Sequence, residues 1–208
     1  TRYISVTGVQ TCALPIWNVL LDLALLKSLR IGVVLVHGAQ HQILKLADLT
    51  KQQPSNLDGS GITDDPTLQL ALFASSRVAY ELMEGLDAAD LHGVSGSFLV
   101  AHPAGILGGV DHQWTGKIER VQTHLLQTLA AQDLVPVVSP VGADGEGRTY
   151  RLNSDNVAVE VAAALPVLLA QVMQVATEVL VLSSSKQIKR LVFQLLVAVA
   201  VTSSINHN

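Results

Sequence analysis

The chain has a single cysteine, Cys12, in 208 residues. That excludes a disulfide framework and a cysteine-built metal cluster, and it fits a reducing, cytoplasmic setting. Aromatic residues are only 4% of the chain, and its 13 lysines and arginines are scattered. With few stacking platforms and no basic stripe, nucleic acid is not an expected partner. Charged residues are also scarce, at 14%, where an average domain has about 25%. The net charge is −4 and mean hydropathy is high, at +0.40. Much of the apolar excess sits beyond Leu165. The last apolar run there, Leu191 to Val201, has about half of the ~20 residues that cross a bilayer, so no membrane partner is expected.

Other constellations fail on spacing. His37 and His41 lie four apart with no glutamate after His37, so the zincin pattern is absent and no metal is expected. His102, His112 and His124 are dispersed and read as satisfied or solvated side chains. Ser95 stands in Gly93-Val94-Ser95-Gly96-Ser97, which lacks the last glycine of a nucleophile elbow. Gly59-Ser60-Gly61 follows no strand and is not a dinucleotide fingerprint.

What is present is a strand, a tight turn and a helix. Val33-Val34-Leu35-Val36 reads as a strand buried on both faces. After His37, Gly38 and Ala39 strip the chain of bulk where the helix Gln40 to Leu49 begins. Small residues there let a ligand reach the amide donors of the helix N-terminus, whose partial positive charge favours carboxylate or phosphate. The same residues are equally consistent with a tight turn that binds nothing.

Around this unit the periodicity predicts helices over Asn18–Leu29, Pro66–Gly85 and Thr123–Gln132, and another from Ser154 or Asp155 to Leu165. Thr63-Asp64-Asp65-Pro66 is a helix start with a cap and an early proline. Strands are predicted over Gly93–Pro103, Leu134–Val138 and Glu178–Ser183. Lys51–Ser60 is a loop, and Asp144-Gly145-Glu146-Gly147 is a hairpin turn with Arg148–Leu152 returning from it. Strands alternating with helices predict an α/β fold with a mainly parallel sheet.

The two ends differ from this pattern. Val6–Ile16 back-translates to a string resembling a sequencing adapter read on its reverse strand. Residues 1–16 are therefore expected to be non-native, with a domain over 17–183 and an irregular or frameshifted tail over 184–208.

Three blocks, LLDLALLKSLRIGVVLVHGAQHQI, GITDDPTLQLALFASSRVAYELMEGL and the stretch from Val94 to Leu165, share one order and spacing. Together they resemble the amino-acid kinase family, and within it the amino-acid-kinase-like domains of bacterial N-acetylglutamate synthases. The most specific part is GVDHQWTGKIER followed by RTYRLNSD. The resemblance implies a three-layer α/β/α sandwich of the amino-acid kinase (carbamate kinase-like) type, here incomplete at both ends.

It also implies a ligand site at His37, Gly38, Ala39, Arg151, Asn153 and Asp155. Acetylglutamate kinases of the family have a further glycine at the place of Ala39 and an arginine at that of Gly61. They have an asparagine at Arg151, and their first-strand lysine has no counterpart. Asn153 and Asp155 remain, with Asp155 read most simply as a helix cap. The resemblance thus implies a regulatory domain that is not catalytic alone and needs no cofactor. The parent synthase would use acetyl-CoA and act in arginine biosynthesis as a homo-oligomer. The expected ligand is glutamate, N-acetylglutamate or arginine. The alternatives are an ATP-dependent acetylglutamate kinase and a plain amino-acid-binding module.

Overall fold

The computed structural model describes residues 13–165, with side chains from Val19 onward. The expectations for residues 1–12, the strand over 178–183 and the tail over 184–208 lie outside the described residues.

Helix α1 (Ala13–Ser28) starts five residues before the predicted Asn18 and leads to a short strand β1 (Leu35–Val36). After the turn come α2 (Gln40–Thr50) and the long α3 (Asp65–Ala88). Asp64 caps α3 by accepting from the Thr67 N–H, and Pro66 sits in the first turn, as its sequence predicts. Gly85 does not end the helix as predicted. A Cβ there would lie 2.5 Å from Leu20 Cδ1, so the glycine is the place where α1 crosses α3.

The predicted strand Gly93–Pro103 is two strands, β2 (Gly93–Ser95) and β3 (Leu99–Pro103), in different sheets. Gly96 and Ser97 between them are exposed and carry no apolar group to bury, whereas Phe98 and Leu99 turn into a second core. A small hairpin follows, β4 (Ile106–Leu107) and β5 (Val110–Asp111), then β6 (Gly116–Val121), α4 (Thr123–Ala131) and β7 (Val135–Val138). The predicted hairpin is β8 (Val141–Ala143) and β9 (Thr149–Arg151), with Asp144 Oδ1 accepting from the Glu146 and Arg148 amides. Last comes α5 (Ser154–Ala164).

The central sheet, β1-β7-β2, is parallel throughout. The second sheet, β6-β3-β8-β9, is mixed. Alternation along β1 and the residues before it divides the core into two. Val33 and Leu35 pack with α1, α2 and α3 on one face. Val34 and Val36 pack with the second sheet, α4 and α5 on the other. Val135 and Val137 join the first group and Val138 the second. This is the expected α/β/α sandwich of the amino-acid kinase type, and it puts the C-terminal ends of β1 and β7 beside the N-termini of α2 and α5.

Candidate functional site

The turn after β1 is fixed from inside. The His37 N–H donates to Val138 O at 3.2 Å, continuing the strand pairing one residue further. Its ring is buried, with Nδ1 3.2 Å from Gly38 O and Nε2 3.0 Å from Ser139 Oγ. A carbonyl can only accept, so Nδ1 carries the proton and Nε2 accepts from the Ser139 hydroxyl. Burial disfavours the imidazolium and lowers the His37 pKa, with the Gly38 contact opposing. Gly38 faces α5, and a Cβ on it would come within 3.2 Å of Ser154 Oγ. Ala39, the residue before α2, supplies no side-chain cap. The first amides of α2 therefore have no oxygen from their own cap position.

A second element reaches the turn from the loop between α2 and α3. Arg151, at the end of β9, is buried. Its Nη1 donates to Asn56 O at 2.9 Å and its Nη2 to Leu57 O. Burial lowers its pKa, and nearby Asp58 works the other way. Asn153 then caps α5, its Oδ1 accepting from the Asp155 and Asn156 amides, while its Nδ2 donates to Asp58 O at 3.0 Å. The cap is thus Asn153, not Ser154 or Asp155. An asparagine at this position both caps the helix and holds the loop, which neither of the others is placed to do. Asp155 lies exposed in the first turn.

Gly59 completes the junction. Its φ is +81°, and a Cβ would lie 2.6 Å from Leu152 O. The loop therefore passes directly over the backbone that leads into α5. It is tied internally by Asn56 Nδ2 donating to Thr63 Oγ1 at 3.0 Å, and from outside by Thr115 Oγ1, just before β6, donating to Gly61 O.

Two cavities flank this loop. The smaller, about 130 Å³, is lined by Ala39, Gln40, Ser75, Arg151, Asn153 and Asp155 among others. It brings four of the six predicted site residues to one space, with His37 and Gly38 immediately behind Ala39. The larger, about 490 Å³, lies under the β4–β5 hairpin and is lined by Gly59, Ser60, His112, Lys117, Asn153 and Glu160, among others. Two side-chain atoms among the described residues are buried without a hydrogen-bond partner, Ser75 Oγ and His112 Nδ1. Each belongs to a residue lining one of these cavities. The sequence reading missed Ser75. It also took His112 as satisfied or solvated, which its Nδ1 is not. No group of three or more metal-ligating side chains occurs among the described residues. None of the described helices is long and apolar enough to cross a membrane.

Known proteins place this arrangement. A sequence profile described as the amino acid kinase family matches residues 5–191. An acetylglutamate kinase of Prochlorococcus marinus (strain NATL1A) is 35% identical over 150 residues, which are 69% of this chain and 48% of the relative. An amino-acid acetyltransferase of Ralstonia nicotianae is 31% identical over 153 residues, 69% of this chain and 34% of the relative. The chain therefore spans about half the length of the first and about a third of the second. Among solved structures, N-acetylglutamate synthase from Neisseria gonorrhoeae, complexed with coenzyme A and N-acetyl-glutamate, aligns with a TM-score of 0.61. It is 28% identical, and the match covers 71% of this chain and 36% of that one.

Proposed function

Because the chain belongs to the amino acid kinase family, we propose that it is a ligand-binding, non-phosphorylating domain of the kind carried by N-acetylglutamate synthases. The observation that carries this reading is Arg151. It stands where the resemblance puts a substrate asparagine in the kinases, and its guanidinium is anchored on the Asn56 and Leu57 carbonyls. Gly61 likewise stands where they have a substrate arginine. Phosphoryl transfer rests on positioning and on positive charge held against the phosphates. With Arg151 bound inward and Gly61 bearing no charge, neither position offers the substrate contact that the resemblance implies for the kinases. The retained features are those of a binding domain: the small turn at Gly38-Ala39, the uncapped α2 terminus, and Asn153 and Asp155 beside them.

On this reading the ligand is glutamate, N-acetylglutamate or arginine, held in the smaller cavity. The parent protein acts in arginine biosynthesis as a cytoplasmic homo-oligomer. Acetyl transfer from acetyl-CoA to L-glutamate is assigned to that parent, and this domain holds no cofactor for it. The 35% identity to an acetylglutamate kinase favours the second reading, an ATP-dependent phosphotransferase.

The two readings separate in one experiment. The purified chain is incubated with MgATP and N-acetylglutamate, and its binding of arginine, glutamate and N-acetylglutamate is followed in parallel by calorimetry. Binding without phosphoryl transfer is expected. Turnover that disappears in Asp155→Ala would instead make the chain a kinase.

A further inference from the structure

We propose that Ser75 is a ligand contact, its hydroxyl donating to a carboxylate oxygen of the amino-acid ligand at the N-terminus of α2. The proposal rests on the reading of the smaller cavity as the ligand site and adds to it a residue on a third element.

Ser75 lies in the middle of α3 and is 2% exposed. The other buried positions of that helix are apolar or small, with one exception, Thr67. The Thr67 hydroxyl has partners, accepting from the Ser55 amide at 2.8 Å and from the Ser55 hydroxyl at 3.0 Å. The Ser75 hydroxyl has no partner among the described residues. A buried hydroxyl without a partner destabilises the fold, and packing alone would favour alanine at such a position. Ser75 lines the cavity together with Ala39 and Gln40 at the start of α2, where Ala39 offers the first amides no side-chain cap. The helix amides and the serine O–H are donors and suit a small anionic group, while Asp58 and Asp155, which also line the cavity, suit the cationic group of an amino acid. A cavity of about 130 Å³ admits the carboxylate end of an amino acid. Arginine, glutamate and N-acetylglutamate all carry that group.

The test compares the full-length chain with Ser75→Ala and Gln40→Trp. Gln40 is exposed at the mouth of the cavity, so a bulky side chain there blocks entry without crowding the core. Calorimetry measures the Kd for L-arginine, L-glutamate and N-acetyl-L-glutamate, and thermal unfolding is followed without ligand. The expected result has two parts. Ser75→Ala weakens binding about ten- to a hundredfold, the range for one lost hydrogen bond to a charged group. It also melts at or above the unaltered chain, because an orphan group has been removed. A solely structural serine would change melting and leave the Kd alone. If Gln40→Trp abolishes binding but Ser75→Ala leaves the Kd within twofold, the contact is refuted and the site stands. If no probe binds, or binding ignores both substitutions, the smaller cavity is not the ligand site and both readings fall.

Discussion

Replacing Gly59 with alanine tests the junction on which the site depends. Two effects act there and can be separated. A left-handed backbone costs a non-glycine residue about 1–2 kcal/mol. The added Cβ would also sit 2.6 Å from Leu152 O, 3.0 Å from Leu152 C and 3.2 Å from Asn153 N, all of them backbone atoms. Relieving that contact means lifting the loop from α5, with damage comparable to core overpacking at about 1–3 kcal/mol. The sum is about 2–5 kcal/mol. Gly147 supplies the control, because its φ is +86° and a Cβ there meets nothing within 4 Å. Gly147→Ala therefore reports the backbone effect alone, and the influence of alanine on the unfolded chain is common to both variants. Urea unfolding of the two should show Gly59→Ala less stable than Gly147→Ala by about 1–3 kcal/mol. A chain of this size loses about 2–4 °C of melting temperature per kcal/mol, so heat gives a second readout. Equal destabilisation of the two variants would refute the close approach of the loop to Leu152.

Two further outcomes follow from the site. Asn153→Ala should cost about 1–2 kcal/mol, since it removes the α5 cap and the bond to Asp58 O. Asp155→Ala, with an exposed side chain, should stay within about 0.5 kcal/mol, and the reverse order in urea unfolding would return the cap to Asp155. Burial holds the His37 pKa below the ordinary histidine value of 6.5, so below that pH the unfolded chain binds more protons than the folded one. Stability should therefore fall as pH drops from 6.5 toward the lowered folded value, and His37→Gln should flatten the pH dependence measured between pH 7 and 5. An unchanged slope would mean that the ring is not held neutral.

Local signals were legible in the sequence. The helix after Ala39, the Asp64 cap and the hairpin at Asp144–Gly147 rest on contacts between near neighbours, which composition and spacing report; the strand before the turn was legible from its apolar run, though only Leu35–Val36 of it pair, with distant β7. Failures came where a distant partner decides. Gly93–Pro103 reads as one run, yet its halves lie in different sheets, and only Gly96-Ser97 hints at the break. Arg151 could not be placed because its acceptors, the Asn56 and Leu57 carbonyls, lie 95 and 94 residues away and are backbone groups, which no residue type announces. Asn153 outranked Ser154 and Asp155 as a cap because it also reaches Asp58, again a contact with a remote loop. Ser75 gave no signal at all, since a serine within a helix is ordinary until its surroundings are known to be dry.

Leu57 and Asp58 face the smaller cavity and Gly59 and Ser60 the larger, while Leu152 and Asn153 line both. The two spaces thus share one wall, four residues of loop pinned by Arg151. An occupant that displaces this wall on one side alters the room and the donors on the other. By linkage, the free energy with which either occupant disfavours or favours its neighbour is the same in both directions. The loop is in this sense a balance beam, and a variant that loosens its pivot at Arg151, which itself lines the smaller space, would weaken the coupling while leaving the lining of the larger one intact.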